Sequence, residues 1–274
     1  MIYALNSIAK HYATRNGGLV RSIDGLSFTV RSGERLAMIG KSGAGKTTLF
    51  RLLNATLRPT NGQLHFDGRD VGDLAGRDLR AMRSRIGTIY QQHHLVPSLS
   101  TLDNALCGRL GHWSFWQTLK STWRPTKLDA EQAAHALDAV GLADKRFARA
   151  DELSGGQQQR LAIARVLVQD PDVILADEPV ASLDPGLAES IISLLVDIAD
   201  REKRTLIVTL HAVELALRFF PRIVALRDGR LAFDTKTNRI QNDALEDLYK
   251  DERMDANDLR ATDADTWREL HCAR

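Results

Sequence analysis

The segment 40–47, with the sequence GKSGAGKT, fits the phosphate-binding pattern G-x-x-x-x-G-K-[ST]. Glycines let backbone N–H groups approach a phosphate, and a helix that begins directly after them adds a favourable dipole. We expect Lys46 to reach the β- and γ-phosphates of a nucleotide and the Thr47 hydroxyl to bind Mg²⁺. The full set of predicted phosphate contacts is Gly40, Ser42, Gly43, Ala44, Gly45, Lys46, Thr47 and Thr48.

Two adjacent carboxylates, Asp177 and Glu178, come shortly after an apolar run at 173–175. Such a run is typical of a central parallel strand covered on both faces, and ligands bind at the carboxyl ends of these strands. We expect Asp177 to hold Mg²⁺, directly or through water, and Glu178 to orient and polarise an attacking water. The alternative is an acidic pair that caps a helix before Pro179, which the phosphate loop in the same chain disfavours.

A second glycine-rich helix start lies at 154–158, with the sequence SGGQQ. Ser154 and Gln157 have the spacing of a capping box, while Gly155 and Gly156 leave the N-terminal backbone donors accessible to an anion. Nothing else in the chain requires a second phosphate-facing helix. The pattern therefore predicts that the chain completes the nucleotide site of a second copy of itself, although an ordinary capped helix is the simpler interpretation.

The sequence also predicts the strands and helices that position these residues. A short buried strand at 35–39 precedes the phosphate loop and a helix opening at 48–53 follows it. The other predicted elements are helices at 129–140, ending at Gly141, and 158–169; strands at 206–210, 223–226 and 231–233; and turns at 61–62, 67–68 and 228–229. The order of these elements indicates an α/β fold.

Composition excludes several classes of protein. Lys and Arg number 37 against 35 Asp and Glu, a net charge of +2 that gives no nucleic-acid footprint. No run of about eighteen apolar residues is present, so we expect no membrane span. The N-terminus lacks a signal-peptide pattern. Cys107 and Cys272 are too few and too scattered for a disulfide framework or a metal site.

With these motifs in this order, the chain resembles the nucleotide-binding subunit of an ATP-binding cassette (ABC) transporter over about residues 1–235. The resemblance implies a P-loop NTPase (RecA-like) α/β core with an antiparallel β subdomain. It also implies an α-helical subdomain inserted at about 95–150, and residues 236–274 form a charged C-terminal tail. Within this family two copies sandwich ATP and Mg²⁺ between 40–47 of one subunit and 154–158 of the other.

The resemblance also implies roles for Gln91, Asp184 and His211. Gln91 matches the Q-loop glutamine, a catalytic residue that contacts Mg²⁺, although Gln92 beside it is an alternative. Asp184 in the segment 182–184 matches the D-loop of the nucleotide site. His211 matches the switch histidine that senses the γ-phosphate and joins Glu178 in catalysis, or it is simply a polar residue at a strand end.

Tyr12 lies upstream of the phosphate loop where the family stacks an aromatic ring on adenine, and surface packing is the other interpretation.

Departures from the family pattern are small. Lys41 stands where proline is common, and Thr47-Thr48 replaces Ser-Thr but keeps the hydroxyl for Mg²⁺. Mg²⁺ binding by Thr47 is therefore still expected, and Lys41 adds a positive charge beside the phosphate loop.

Within the family, the segments 106–111, 115–118, 181–185 and 209–218 resemble phosphonate-type importers, whose relatives handle phosphite or hypophosphite. A permease and an extracytoplasmic binding protein would select the cargo, with this chain at the cytoplasmic face of the membrane.

In the aromatic stretch 111–119, Trp116 and Leu119 fall with Trp123 on one helical stripe. We favour subdomain packing for that stripe over docking of a permease helix.

Other functions leave more of the sequence unexplained. Soluble ABC proteins of DNA repair usually contain a long coiled coil, and those of translation contain two cassettes; neither feature is found here. A phosphate-loop kinase or GTPase leaves 154–158 and His211 without a role. An importer of another small solute, such as phosphate or an amino acid, is the main alternative for the cargo.

Overall fold

The computed structural model describes residues 1–13, 18–113, 126–241 and 243–249, and the chain folds there around two sheets. The strands are β1 (Tyr3–Ala13), β2 (Leu19–Val30), β3 (Arg35–Ile39), β4 (Asn61–Phe66), β5 (Arg69–Asp70), β6 (Ile86–Ile89), β7 (Val173–Asp177), β8 (Thr205–Thr209), β9 (Arg222–Arg227) and β10 (Arg230–Lys236). The helices are α1 (Lys46–Leu53), α2 (Gly76–Ser84), α3 (Thr101–Leu106), α4 (Lys127–Ala139), α5 (Gly155–Gln169), α6 (Pro185–Arg201), α7 (Val213–Phe219) and α8 (243–249). The predicted aromatic stripe of Trp116, Leu119 and Trp123 lies outside the described residues.

The larger sheet has the strand order β10-β9-β3-β8-β7-β6. Its strands pair in parallel except at the edge, where β10 runs antiparallel to β9. Every residue of β8 is buried, and the apolar residues of β3, β7 and β9 are buried as well, because both faces of the sheet are covered. This confirms the predicted α/β fold and the predicted strands at 35–39, 173–175 and 206–210.

Alternate residues of the central strands enter different cores. Leu36 and Met38 of β3 join α1 and the smaller sheet, whereas Ala37 and Ile39 join α5 and α6. The side-chain period of two in a strand produces this division. As a result, β3 is held from both sides, and the loop that leaves its carboxyl end starts from a fixed position.

The smaller sheet is antiparallel, with the order β2-β1-β4-β5. The predicted Asp67-Gly68 turn joins β4 to β5 with φ of 50° and 78°, and Asp228-Gly229 joins β9 to β10 in the same way. The predicted turn at Asn61-Gly62 is wrong, because these residues begin β4. Gly62 has φ 79° beside a bulge in β1, where a Cβ atom would lie 2.6 Å from the carbonyl oxygen of Asn6.

The helical layer is organised around α5, which packs on α3, α4 and a short 3₁₀ turn at Cys107–Gly111. The predicted helix at 129–140 is confirmed as α4, and Gly141 follows it with φ 72° in the left-handed position that ends many helices. The capped helix predicted at 158–169 is confirmed as α5. The layer therefore carries the residues 154–157 on a packed helix rather than on a loop.

Beyond β10, part of the predicted tail packs on the core. Leu248 of α8 is buried, and Leu245 packs against the same core cluster. Residues 250–274 of the tail lie outside the described part of the chain. None of the helices in the described ranges combines the length and apolarity that crossing a membrane requires.

Candidate active site

The phosphate loop leaves β3 and enters α1 through a backbone that needs glycine. Gly40, Gly43 and Gly45 have φ of 148°, 78° and 99°, values that other residues rarely adopt. Space restricts two of them as well: a Cβ atom on Gly40 would collide with the carbonyl oxygen of Leu226, and one on Gly45 would lie 2.5 Å from that of Ser22. The loop is thus shaped by its neighbours as well as by its own residues.

Lys46 is almost fully buried at the first position of α1. Its ammonium group donates hydrogen bonds to the carbonyl oxygens of Gly40, at 2.6 Å, and Lys41, at 3.0 Å. The charge therefore lies across the phosphate loop, where it would meet the oxygens of an entering phosphate group.

A cavity of about 170 Å³ opens at the carboxyl end of the large sheet. It brings together most of the predicted phosphate contacts with Glu178 and His211, which lie more than a hundred residues away in sequence. Its lining consists of Ser22, Ser42, Gly43, Gly45, Lys46, Thr47, Thr48, Glu178 and His211. Ser22 was not predicted, and its hydroxyl lies 2.7 Å from that of Thr48.

Thr209, the last residue of β8, is hydrogen-bonded to both acidic residues at the end of β7. Thr209 lies opposite Asp177, donates its hydroxyl hydrogen to the Asp177 carboxylate at 2.7 Å and accepts the Glu178 backbone N–H at 2.8 Å. Burial raises the pKa of Asp177 above its usual range, and the hydrogen bond from Thr209 opposes that shift. Sequence reasoning missed Thr209, although a polar residue at the end of an apolar strand was a usable signal.

Glu178 and His211 form a direct contact at the mouth of the cavity. The Nε2 atom of His211 lies 2.6 Å from the Oε1 atom of Glu178. Glu178 has φ 48°, an uncommon conformation for a residue with a side chain, and its carboxylate lines the cavity. A carboxylate beside an imidazole can accept a proton from water or pass one on, as a general base requires.

Ser154 and Gln157 form the predicted capping box of α5. The Ser154 hydroxyl accepts the N–H of Gln157, and the Gln157 side chain accepts the N–H of Ser154 at 3.0 Å. A Cβ atom on Gly155 would meet nothing within 4 Å, whereas one on Gly156 would lie 2.5 Å from Leu187. Residues 154–157 do not line the cavity formed by the phosphate loop of their own chain.

The segment after β6, which contains the predicted Gln91, is tied to α5. Arg165 of α5 donates to the carbonyl oxygens of His93, at 2.8 Å, and His94, at 2.7 Å, and the His93 ring lies 3.3 Å from the carbonyl oxygen of Gly155. Burial lowers the pKa of His93. Gln91 and its neighbour Gln92 are both exposed, and neither lines the cavity.

Two further predicted residues lie outside the cavity lining. Asp184 caps α6 by accepting the N–H of Leu187 at 3.0 Å. Tyr12 is a partly exposed residue at the end of β1, with the Lys10 ammonium 5.5 Å from its ring centroid.

A second cavity, of about 590 Å³, lies between α2, the turn at Cys107–Gly111 and α5. We call it the helical groove. Arg165 lines the groove and also holds the carbonyl oxygens of His93 and His94, so the groove and the Gln91 segment share one side chain. Cys107 in the groove is a free thiol, and the described residues contain no cluster of His, Cys, Asp and Glu suited to a metal ion.

Comparison with known proteins gives consistent matches to one family. A family model described as ABC transporter matches residues 23–181. The phosphonates import ATP-binding protein PhnC of Anaeromyxobacter dehalogenans is 45% identical over 91% of this chain and 49% of its own length, so the chain spans about half of that relative. PhnC 2 of Oceanobacillus iheyensis is 40% identical over 89% of this chain and 94% of its own length.

Among solved structures, the chain is similar to the dimeric post-hydrolysis state of the ATP-binding cassette MJ0796 bound to ADP and Pi. The TM-score is 0.73 with 28% sequence identity, over 86% of this chain and 98% of that chain. That relative is a dimer with hydrolysis products bound.

Proposed function

Since the chain belongs to the ABC transporter family, we propose that it is the ATP-hydrolysing subunit of a membrane importer for phosphonates or reduced phosphorus oxyanions such as phosphite and hypophosphite. The observation that carries the ATPase part is the cavity that the phosphate loop shares with the Glu178–His211 contact. The cargo is inferred from the relatives, which are named for phosphonate import.

Each residue at or near the cavity has a separate role in phosphoryl transfer. Lys46 and the backbone N–H groups of 42–47 bind the β- and γ-phosphates of ATP. Glu178 orients the attacking water and accepts its proton, while His211 holds that carboxylate and contacts the γ-phosphate. Gln91 extends toward the same phosphate when the segment after β6 moves, and Tyr12 stacks on the adenine.

Thr47 and Asp177 would hold Mg²⁺. A hydroxyl and a carboxylate are the hard oxygen ligands that Mg²⁺ prefers. Thr47 follows Lys46 and lines the cavity. Burial raises the pKa of Asp177, and the charge of Lys46 acts on Asp177 to lower it. Mg²⁺ bound there would neutralise the charge that develops on the phosphate oxygens. Thr209 keeps the Asp177 carboxylate directed by its hydrogen bond.

The site is completed by a second copy of the chain. Residues 154–157 present an open helix N-terminus that does not line the cavity of their own chain. Ser154, Gly155, Gly156 and Gln157 of one subunit would contact the γ-phosphate bound to the other, with Asp184 near the junction. The dimeric MJ0796 relative supports this assembly.

Closure of the two copies must be transmitted to a permease. A cytoplasmic segment of the permease would bind in the helical groove. Arg165 of α5 lines this groove and is hydrogen-bonded to the segment after β6, so a movement of that segment would reach the bound permease. The chain would then work at the cytoplasmic face of the membrane. A separate extracytoplasmic protein would bind the cargo and deliver it to the permease.

The test is growth of the source cell on single phosphorus sources, with and without this gene. The four sources are phosphate, an alkylphosphonate, phosphite and hypophosphite. We expect deletion to abolish growth on at least one non-phosphate source, and the wild-type gene to restore it while Glu178→Gln does not. Unchanged growth on all four, in a cell without a redundant importer, would overturn the cargo proposal and leave the ATPase proposal standing.

A further inference from the structure

The turn Asp228-Gly229 between β9 and β10 packs directly on the phosphate loop, although neither residue lines the cavity. The N–H of Gly229 donates to the carbonyl oxygen of Ala44 at 3.1 Å. The carbonyl oxygen of Gly229 accepts the N–H of Asp24 at 2.9 Å. One residue of the turn therefore joins the phosphate loop to β2 through two backbone hydrogen bonds.

Close backbone packing leaves no room for a side chain at this junction. A Cβ atom on Gly229 would lie 2.7 Å from the carbonyl oxygen of Ser22 and 3.2 Å from the Cα atom of Ile23. A Cβ atom on Gly45 would lie 2.5 Å from the same Ser22 oxygen and 3.5 Å from the Cα atom of Gly229. Because backbone atoms cannot rotate away, the three segments hold one another at a fixed separation.

Ion pairs secure both ends of the turn. Arg230, the first residue of β10, pairs with Asp24 of β2 at 2.7 Å. Arg227, the last residue of β9, pairs with Asp247 of α8 at 2.9 Å. The turn is thereby paired with β2 on one side and with α8 on the other.

We propose that the turn Asp228-Gly229 positions the phosphate loop for nucleotide binding, and that Gly229 is its required residue. The proposal rests on the proposed binding of ATP at 40–48. By fixing the carbonyl group of Ala44, the turn fixes the peptide plane that also carries the N–H of Gly45, directly before Lys46. Gly229 is a positioning residue that acts through Ala44 and Gly45 without touching the nucleotide.

A matched pair of variants tests this role: Gly229→Ala and Gly68→Ala. Both glycines follow an aspartate in a two-residue turn, with φ of 75° at Gly229 and 78° at Gly68, so alanine causes the same backbone strain at each. A Cβ atom on Gly68 would meet nothing within 4 Å. For each purified protein, ATP affinity is measured by calorimetry, KM and kcat by phosphate release, and the unfolding temperature without nucleotide.

We expect both variants to unfold at lower temperature than the wild type, and Gly229→Ala alone to bind ATP roughly tenfold more weakly or worse, since small misplacements of binding groups are costly. Its KM should rise by more than its kcat falls. Equal ATP affinity in the two variants would overturn the proposal. Failure of the wild type to bind ATP would instead overturn the proposed function.

Hydrogen exchange of the wild-type protein provides a second test if Gly229→Ala does not fold. Exchange at 226–231 should slow when ATP is added, together with exchange at 40–48, while exchange at 66–70 stays unchanged. Slowed exchange at 40–48 with no change at 226–231 would contradict the positioning role.

Discussion

At the scale of single residues, Thr209 is hydrogen-bonded to both acidic residues of the site. Its buried hydroxyl donates to Asp177 and accepts the N–H of Glu178, so one side chain sets the direction of the first carboxylate and the backbone of the second. Asp177 and Thr209 lie opposite each other on neighbouring parallel strands. Any shift between these strands would therefore change both acids together.

We predict that Thr209→Val lowers kcat by about 10- to 100-fold with little change in ATP affinity, because the Asp177 carboxylate loses its orienting donor and the backbone N–H of Glu178 loses its acceptor. Thr209→Ser, which keeps the hydroxyl, should restore most of the rate. The measurement is steady-state phosphate release, combined with ATP titration in the presence and absence of Mg²⁺.

Thr205→Val is the matched control for this prediction. Thr205 begins the same strand, is equally buried and likewise accepts one backbone N–H, that of Gly33 at 3.0 Å. Thr205→Val should lower the free energy of unfolding by about 1–3 kcal/mol, as Thr209→Val does, while its kcat stays near the wild-type value. If both variants lose the same rate, Thr209 acts through stability alone.

At the scale of elements, α5 connects the parts of the chain that would move together in the proposed closure. Its N-terminus carries 154–157, and Arg165 in its middle holds the segment after β6. The same helix packs on the turn Cys107–Gly111, which forms a wall of the helical groove. A force applied in the groove would therefore reach residues 154–157, which face the second copy in the proposed dimer.

We predict that Gly108→Ala loosens this packing and destabilises the protein by about 1–3 kcal/mol, because an added methyl overpacks the contact. Its Cβ atom would collide with the carbonyl oxygen of Arg165 and lie 2.9 Å from the backbone nitrogen of Gln169. Urea unfolding measures the free energy of unfolding directly.

Gly111→Ala, in the same 3₁₀ turn, is the control for that prediction. Its Cβ atom would lie 3.5 Å from the Cβ atom of Ser84, an ordinary contact. The free energy of unfolding should change by less than about 0.5 kcal/mol. Equal destabilisation by the two substitutions would show that the turn, and not its contact with α5, determines the cost.

Most elements could be predicted from local sequence, because periodicity and turn residues are local signals. The turns at 67–68 and 228–229 and the helix end at Gly141 follow from residues that tolerate positive φ. Asn61-Gly62 has the same signal but lies inside β4, where Gly62 accommodates a bulge in β1. The local pair indicates an unusual backbone angle and cannot indicate which strand lies opposite.

At the scale of the whole molecule, the site is assembled from segments that are far apart in sequence. The phosphate loop and the pair Asp177 and Glu178 could be predicted because each is a contiguous motif. Ser22 and Gly229 could not, since their roles depend on contacts with the loop that appear only when the strand order is known. Long-range contacts of this kind leave no local pattern.

The proposed nucleotide site requires residues from two copies of the chain. In each copy, residues 154–157 do not line the cavity that contains the phosphate loop. The phosphate loop and residues 154–157 each lead into a helix, and a helix N-terminus favours a bound anion. Two copies arranged face to face would bring each helix start to the γ-phosphate held by the other copy. Hydrolysis would remove that bridging charge and let the copies separate.

The most direct test of this claim is the mass of Glu178→Gln in solution, measured by light scattering at saturating Mg-ATP. Because this variant keeps the phosphate contacts and loses the base, we expect a stable particle of twice the 30.5 kDa chain, which hydrolyses ATP very slowly. Adding Lys46→Ala should return it to a monomer by removing the phosphate contact. A monomeric Glu178→Gln protein with ATP bound would contradict the shared site.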